Sequence, residues 1–292
     1  MRRVFLPIGL LLACACGGSS SGPGPTPTVP VQNAAPVIQN LTAATPSGRT
    51  EADTDIDIST TVTDAETAVA SLTLNWTASA GTITGTGSVV KWRLTSGTAT
   101  TPVDVVIRLE VVERYANYTD AGTPITSEHR VTREISFRAF DSRSEISRIA
   151  VRFLRDLFGN SAVSPETAVA DFWDGCGGKQ AELEETRLNR QLFVILEASA
   201  SVQSITFTGA DDADVVAMCR WRDRVLRNGS TGVSQGACLL HAVFRQDRWW
   251  LCQSTVDRTG EFSLFTRTCD DGTASCIPPS AVNSYRYRIG RF

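Results

Sequence analysis

A histidine inside an apolar strand, two carboxylates at helical spacing and a row of alternating arginines are the side chains of this chain with chemistry to offer. His241 lies between Leu240 and Ala242 and shares a face with Leu239 and Val243. Lining a cavity, it would serve as a general base. The plainer expectation is a hydrogen-bonded or edge histidine. Asp171 and Asp174 fall at a spacing that makes them neighbours on one helical face. They are the acids to set beside His241, although surface carboxylates account for them better. Arg220, Arg222 and Arg224 alternate down one strand face, with Arg227 beyond. Such a stripe can hold carboxylate or phosphate bidentately. Asp214 and Asp223, close in sequence, favour a solvated face instead. Trp221, Trp249 and Trp250 read as core and rim packing before they read as a stacking platform. His129 reads as solvated.

Other chemistries are missing. With 2 histidines in 292 residues a multi-histidine metal site is excluded. No nucleophile elbow, phosphate-cradling glycine loop or clustered His-acid-nucleophile set occurs, and no cofactor is expected. A formal charge of −3 gives no electrostatic case for nucleic acid. Asp53, Asp55, Asp57, Asp64 and Glu66 invite a calcium reading, since calcium takes about 6–8 oxygen ligands. However, Asp53, Asp55 and Asp57 alternate as the wet face of a strand does, and no metal is expected.

The chain holds 8 cysteines, Cys14 and Cys16 near its start and the rest, from Cys176 onward, in its C-terminal part. An even set in an exported chain argues for disulfides. If Asn228-Gly229 is a two-residue hairpin turn, Cys219 falls directly opposite Cys238. A next turn at Gln246-Asp247 leaves Cys238 and Cys252 out of register. Cys269 and Cys276 enclose a turn-rich loop and pair locally, which leaves Cys176 for Cys252. Zinc thiolates are the poorer alternative, because this set contains no Cys-x-x-Cys.

The elements that must position these residues begin with an address. Arg2 and Arg3 precede an apolar stretch from Val4 to Leu12. It is shorter than the roughly 20 residues of a bilayer span and reads as an export signal. It ends Leu11-Leu12-Ala13-Cys14-Ala15-Cys16-Gly17-Gly18, which resembles the lipobox of bacterial lipoproteins. The resemblance implies that Cys14 takes a thioether-linked diacylglycerol and becomes the mature N-terminus. Cys16 is the alternative, with Ala13 where that motif usually has Leu. The chain is then lipid-anchored, extracytoplasmic and in a bacterial cell envelope, on the outer membrane if the cell has one. With residues 1–16 as signal and lipobox, residues 17–35, rich in Gly, Ser and Pro, form a tether.

Residues 36–141 alternate with period two. Val103, Val105, Ile107, Leu109 and Val111 share one face, and Asp104, Arg108 and Glu110 lie opposite. Short alternating strands with glycine turns at Gly81, Gly85 and Gly87 predict a β-sandwich. Ala35-Pro36-Val37-Ile38, Val62-Thr63-Asp64-Ala65-Glu66, the stretch from Trp76 to Gly87, and Phe140-Asp141-Ser142 carry a likeness. Together they resemble bacterial immunoglobulin-like domains of the polycystic-kidney-disease and cadherin-like kind, which implies a spacer or adhesive module. Arg114 to Arg130 departs from that pattern and is expected to be a mobile hairpin tip.

Residues 142–260 predict an α+β domain. Ser142 or Ser144 caps a helix over 145–158. Ser164-Pro165-Glu166 opens a second that carries Ala168, Val169, Phe172 and Trp173 to Gly175. A third runs from Lys179 to Leu192. Antiparallel strands follow at 202–208, 214–227, 237–245 and 248–256. The order, with Gly178-Lys179-Gln180-Ala181-Glu182-Leu183 and Arg248-Trp249-Trp250-Leu251-Cys252, resembles the nuclear transport factor 2-like fold. That resemblance implies a cone-shaped apolar cavity, and its members include isomerases, dehydratases and catalytically silent binding domains. Some of the enzymes place an acid on the second helix, where Asp171 and Asp174 would stand. Residues 261–292 are expected to be a cysteine-containing extension packed on this domain.

The sequence thus predicts a multidomain, non-catalytic lipoprotein: an all-β immunoglobulin-like sandwich followed by an α+β domain that binds an envelope partner or a small apolar ligand. Two alternatives stand beside it. One is an isomerase- or dehydratase-like enzyme using the cavity, and the other is a structural or adhesive surface protein.

Overall fold

The computed structural model describes residues 33–119, 122–159, 162–255 and 265–270. The chain divides into two units between residues 34 and 35, and the described residues from 35 onward belong to the larger. Among the described residues no helix is long and apolar enough to cross a membrane.

The first half of the larger unit is built of strands. They are β1 (Val37–Ala43), β2 (Thr50–Glu51), β3 (Ile56–Thr63), β4 (Thr73–Ala78), β5 (Thr82–Thr84), β6 (Val89–Arg93), β7 (Val103–Tyr118) and β8 (Pro124–Phe140). They form two four-stranded sheets, ordered β1-β3-β6-β5 and β2-β8-β7-β4. Period-two patterning explains the shared core: Ile58, Val90 and Trp92 from one sheet bury against Val105, Ile107, Leu109 and Val111 from the other. Gly81 lets the chain pass over the buried indole of Trp92. Its φ is +77°, and a Cβ there would stand 2.6 Å from Trp92 Nε1.

Two expectations change here. Arg114 to Arg130 is a ladder rather than a loose tip, with β7 and β8 paired from Val103↔Ala139 out to Tyr118↔Pro124. Asp53 and Asp55 precede β3 instead of alternating along it; Asp53 occupies a left-handed turn with φ +61°. Their carboxylates face Arg93, and that of Asp57 meets Lys91 Nζ at 3.0 Å, so cations answer these three acids, while Asp64 accepts the backbone N–H groups of Glu66 and Thr67.

The second half has α1 (Ser142–Gly159), α2 (Pro165–Ala168) and α3 (Gly178–Leu192). Then come β9 (Phe193–Phe207), β10 (Asp212–Val225), β11 (Thr231–Arg245), β12 (Arg248–Thr255) and β13 (Phe265–Cys269). The sheet order is β12-β11-β10-β9, antiparallel throughout, with β13 on the first part of β11. Register shifts at Val216/Ala217, Arg222/Asp223 and His241/Ala242 bend it. Ile146, Ile149, Phe153 and Leu154 of α1 pack on the inner face beside Val215, Ala217, Leu240, Trp249 and Leu251.

The cap of α1 is Asp141, one residue before Ser142 and three before Ser144, the serines expected in that role. Its carboxylate accepts the N–H of Ser144 at 3.1 Å and that of Gly97 at 2.7 Å, and the Ser96 hydroxyl at 2.9 Å. Burial alone would raise this carboxyl, but the hydrogen bonds from Gly97, Ser144 and Ser96 outweigh it and hold it below its ordinary value.

The second helix is a single turn. After Ala168 the chain crosses to the edge of β12, where Trp173 N–H donates to Leu251 O and Leu251 N–H to Asp171 O, at 2.8 and 2.9 Å. Burial of Phe172 against Phe153 outweighs continuation of the helix.

The β10–β11 turn spans 226–229 in place of Asn228-Gly229 alone, because the Val225 N–H closes on Ser230 O. Register therefore slips by two: Cys219 stands opposite Gly236, and Cys238 opposite Ala217. The structure nevertheless joins Cys219 to Cys238 as diagonal neighbours, with Cα atoms 6.3 Å apart, and joins Cys176 to Cys252. Cys269 ends β13 opposite Gly232, and its expected partner Cys276 lies outside the described residues.

Candidate functional site

Helix α1 buries one side and turns the other to solvent. The exposed side is basic: Arg143, Arg148, Arg152 and Arg155 stand on it with Ser144 and Ser147 between them. Beside it runs β9, the edge strand of its sheet, whose far edge bonds to β10. An open groove of about 820 Å³ separates helix and strand, floored by residues 202–205 of β9. None of its lining residues is acidic. The Arg143 guanidinium crosses it to donate to Ile205 O at 3.1 Å and lies 5.1 Å over the Phe207 ring.

At one end the groove meets a buried carboxylate. Asp171 is 3% exposed and faces Arg152 of α1 and Arg248 of β12, the latter at 3.2 Å. This corrects the expectation of a surface acid; the sequence offers no sign of the distant arginines that balance its burial. Arg248 also stacks 3.9 Å over the Trp250 ring. Glu145, one turn into α1, is pushed up by burial, partly offset by the Trp249 backbone N–H and the charges of Arg248 and Arg148. Asp174 is exposed and pairs with Lys179.

His241 is elsewhere. Leu240 and Ala242 point into the helix-packed core, so His241 between them faces outward from the sheet. Its Nδ1 lies 2.8 Å from Asp214, directly across on β10, and its Nε2 lies 3.5 Å from Asp212. The structure therefore does not bring His241 and Asp171 together. The one orders a strand pair on the outer face, and the other closes an ion cluster under α1.

The arginine stripe on β10 is also on the outer face, where Arg222 is bound to Asp270 at 2.6 Å. Arg220 borders a shallow depression of about 260 Å³ with Met218, Gln235 and Ser199. Trp249 is fully buried, its indole N–H donating to the Ser142 hydroxyl at 2.7 Å. Trp250 packs on Trp173 and Arg248 and donates to Arg245 O at 3.0 Å. Trp249 thus has no exposed ring face, and Arg248 covers one face of Trp250. The space between helices and sheet, expected to be a cone-shaped cavity, holds Phe153, Phe172, Trp221, Trp249 and Leu251.

No protein-family model and no curated protein matches the chain. Solved structures of partial likeness do. A conserved protein from Planctomyces limnophilus is 17% identical over 38% of this chain and 91% of its own, with a TM-score of 0.33. A putative scytalone dehydratase from Novosphingobium aromaticivorans is 18% identical over 38% and 80%, TM-score 0.32. A hexachlorocyclohexane dehydrochlorinase, LinA type 2, is 12% identical over 47% and 94%, TM-score 0.35.

The groove arginines were missed by sequence reasoning, which scored α1 by its apolar stripe alone. The signal was present: on the polar side of 143–155 the arginines recur at helical spacing with serines between them.

Proposed function

We propose that this chain is an exported lipoprotein, anchored through Cys14 or alternatively Cys16 in a bacterial cell envelope. On this reading the tether displays an immunoglobulin-like spacer and a nuclear transport factor 2-like, non-catalytic binding module for an envelope partner. The supporting observation is covalent. Cys176–Cys252 and Cys219–Cys238 are bonded, and such bonds persist in oxidising compartments and are rare in the cytosol. The lipobox-like start supplies the matching route out of the cell.

Against catalysis stands the fate of the acid–base candidates. Asp171 is neutralised by two arginines, and His241 faces away from it. Against a small apolar ligand stands the packing of aromatic side chains where its cavity was expected. The solvent-facing groove between α1 and β9 suits a partner molecule better.

Growing a bacterium that expresses the full chain on an alkyne-bearing fatty acid tests the anchor. The expected result is label and membrane association in the wild type, both lost in Cys14→Ser and kept in Cys16→Ser. Loss in Cys16→Ser alone moves the anchor to Cys16, and an unlabelled wild type overturns the reading.

A further inference from the structure

The groove has two walls of different chemistry. One is the arginine face of α1; the other is a strand edge with no neighbouring strand among the described residues. Strand β9 is 15 residues long and pairs only with β10 among the described residues. Its free edge is chemically active: the Ile205 carbonyl points into the groove, where only the Arg143 side chain meets it. In an antiparallel strand the N–H and C=O of one residue point the same way, so the Ile205 amide faces the groove too. An exposed edge of this length is a template for another strand.

The charge of the helix wall says what kind of strand. Arg155 is 59% exposed, and its nearest acid is the adjoining Asp156. Arg148 is exposed and touches Glu145 only through space. No acid lines the groove, although the chain as a whole carries a net charge of −3. The chain's own C-terminal segment is a poor match: residues 271–292 contain Arg286, Arg288 and Arg291 against the single acid Asp271.

We infer that this groove receives an acidic peptide segment of a partner protein, in extended conformation, as an added strand along β9. Its backbone continues the β9-β10-β11-β12 sheet. Its side chains alternate, so every second residue faces α1. Residues four apart on a strand are about 13 Å apart, and residues seven apart on a helix about 10.5 Å. Acids at alternate positions therefore reach both Arg148 and Arg155, while Arg152 stays with Asp171, and carboxylate–guanidinium pairing sets the register. The inference rests on the reading of the C-terminal half as a binding module and not on the lipid anchor.

The test uses the full chain purified in detergent and a fluorescent peptide of alternating Glu and Thr, read by anisotropy. Three comparison probes are its Gln-for-Glu counterpart, the same acidic peptide N-methylated at alternate residues, and a sulfated oligosaccharide. The expected result is saturable binding of the acidic peptide, weakened by salt. Replacing its acids, or methylating its backbone, costs at least about tenfold in Kd. Arg148→Gln combined with Arg155→Gln costs about tenfold as well, while Arg114→Gln on the β7–β8 ribbon leaves binding unchanged. Hydrogen exchange at the Ile205 amide slows when peptide binds.

No binding of the acidic peptide overturns the inference. So does equal binding of the N-methylated peptide, since charge alone would then hold it. Arginine-dependent binding of the sulfated oligosaccharide without peptide binding assigns the groove to a glycan and overturns it too. Each readout is independent of lipid labelling, so a failed anchor and a failed groove are told apart.

Discussion

Replacing Arg49 with methionine tests how the two halves of the larger unit are joined. Arg49 precedes β2, and its side chain, 16% exposed, reaches into the second half. Its Nε donates to Glu51 at 3.1 Å, its Nη1 to Asp211 at 2.8 Å and its Nη2 to the Ala210 carbonyl. The guanidinium carbon lies 4.0 Å from the centre of the Phe244 ring and 5.1 Å from that of Trp249. Methionine keeps the apolar stem and removes the charge. Hydrogen bonds to a charged group contribute about 1.5–3 kcal/mol each. Asp211 is half exposed and Glu51 a third, so solvent screening cuts these two pairs to about 1 kcal/mol together and leaves about 1.5 kcal/mol for the bond to Ala210. The cation–π contacts add roughly 1 kcal/mol. The expected loss is about 3 kcal/mol, and in a unit of this size that lowers Tm by about 6–12 °C. Calorimetry at neutral pH reads it. A double-mutant cycle with Asp211→Asn should return a coupling of about 1 kcal/mol. A Tm shift under about 2 °C refutes the reasoning, because the guanidinium would then contribute no more than an ordinary surface charge.

Asp141→Asn keeps a capping oxygen for Ser144 but removes the charge that Gly97 and Ser96 also donate to, and should cost about 1–2 kcal/mol at pH 7. Because folding holds this carboxyl low, its contribution is full above its unfolded pKa of about 3.9 and is lost as pH falls through the lower folded value. Urea titrations should therefore show wild type and variant converging in acid. Cys176→Ala with Cys252→Ala opens a loop of 76 residues and should cost about 4 kcal/mol by chain entropy, read as a fall in urea midpoint. Gly178→Ala in the first turn of α3 should gain up to about 1 kcal/mol by helix propensity alone. A Cβ there would lie 2.2 Å from the Cys252 carbonyl oxygen, so the structure predicts a loss of about 2 kcal/mol or more instead, and a stabilised variant sinks that packing claim.

Periodicity made faces legible, and turns made registers only partly so. The alternation from Val103 to Val111 names the buried face of β7 correctly because burial alone decides which side chains point inward. Gln246 and Asp247 turn the chain with φ of +52° and +60°, at the site their sequence position suggests. Asn228-Gly229 carried the stronger turn signal and misled by two residues, since a longer loop closed by Val225 uses Gly229 at its end. The short second helix was illegible for another reason. Phe172 and Trp173 fit a helical stripe as well as they fit a bridge to β12, and only the position of Leu251, far along the chain, selects between them.

The register slip explains why one covalent contact is insensitive to it while the acid–base pairing is not. Side chains on a strand repeat every two residues, so a slip of two moves Cys219 along β11 without turning it to the other face. A diagonal neighbour on the same face remains within disulfide reach, whereas a slip of one would have put the two sulfurs on opposite sides of the sheet. The proposed pairing of His241 with Asp171 had no such protection. The alternation that buries Leu240 and Ala242 commits His241 to the outer face whatever the register, and there the nearest acid is the cross-strand Asp214. Asp171, off any regular element, is placed by main-chain bonds to Leu251 and by arginines from α1 and β12. A catalytic pair drawn from a strand and a loop thus required two independent placements to agree, and the strand's own period had already excluded one of them.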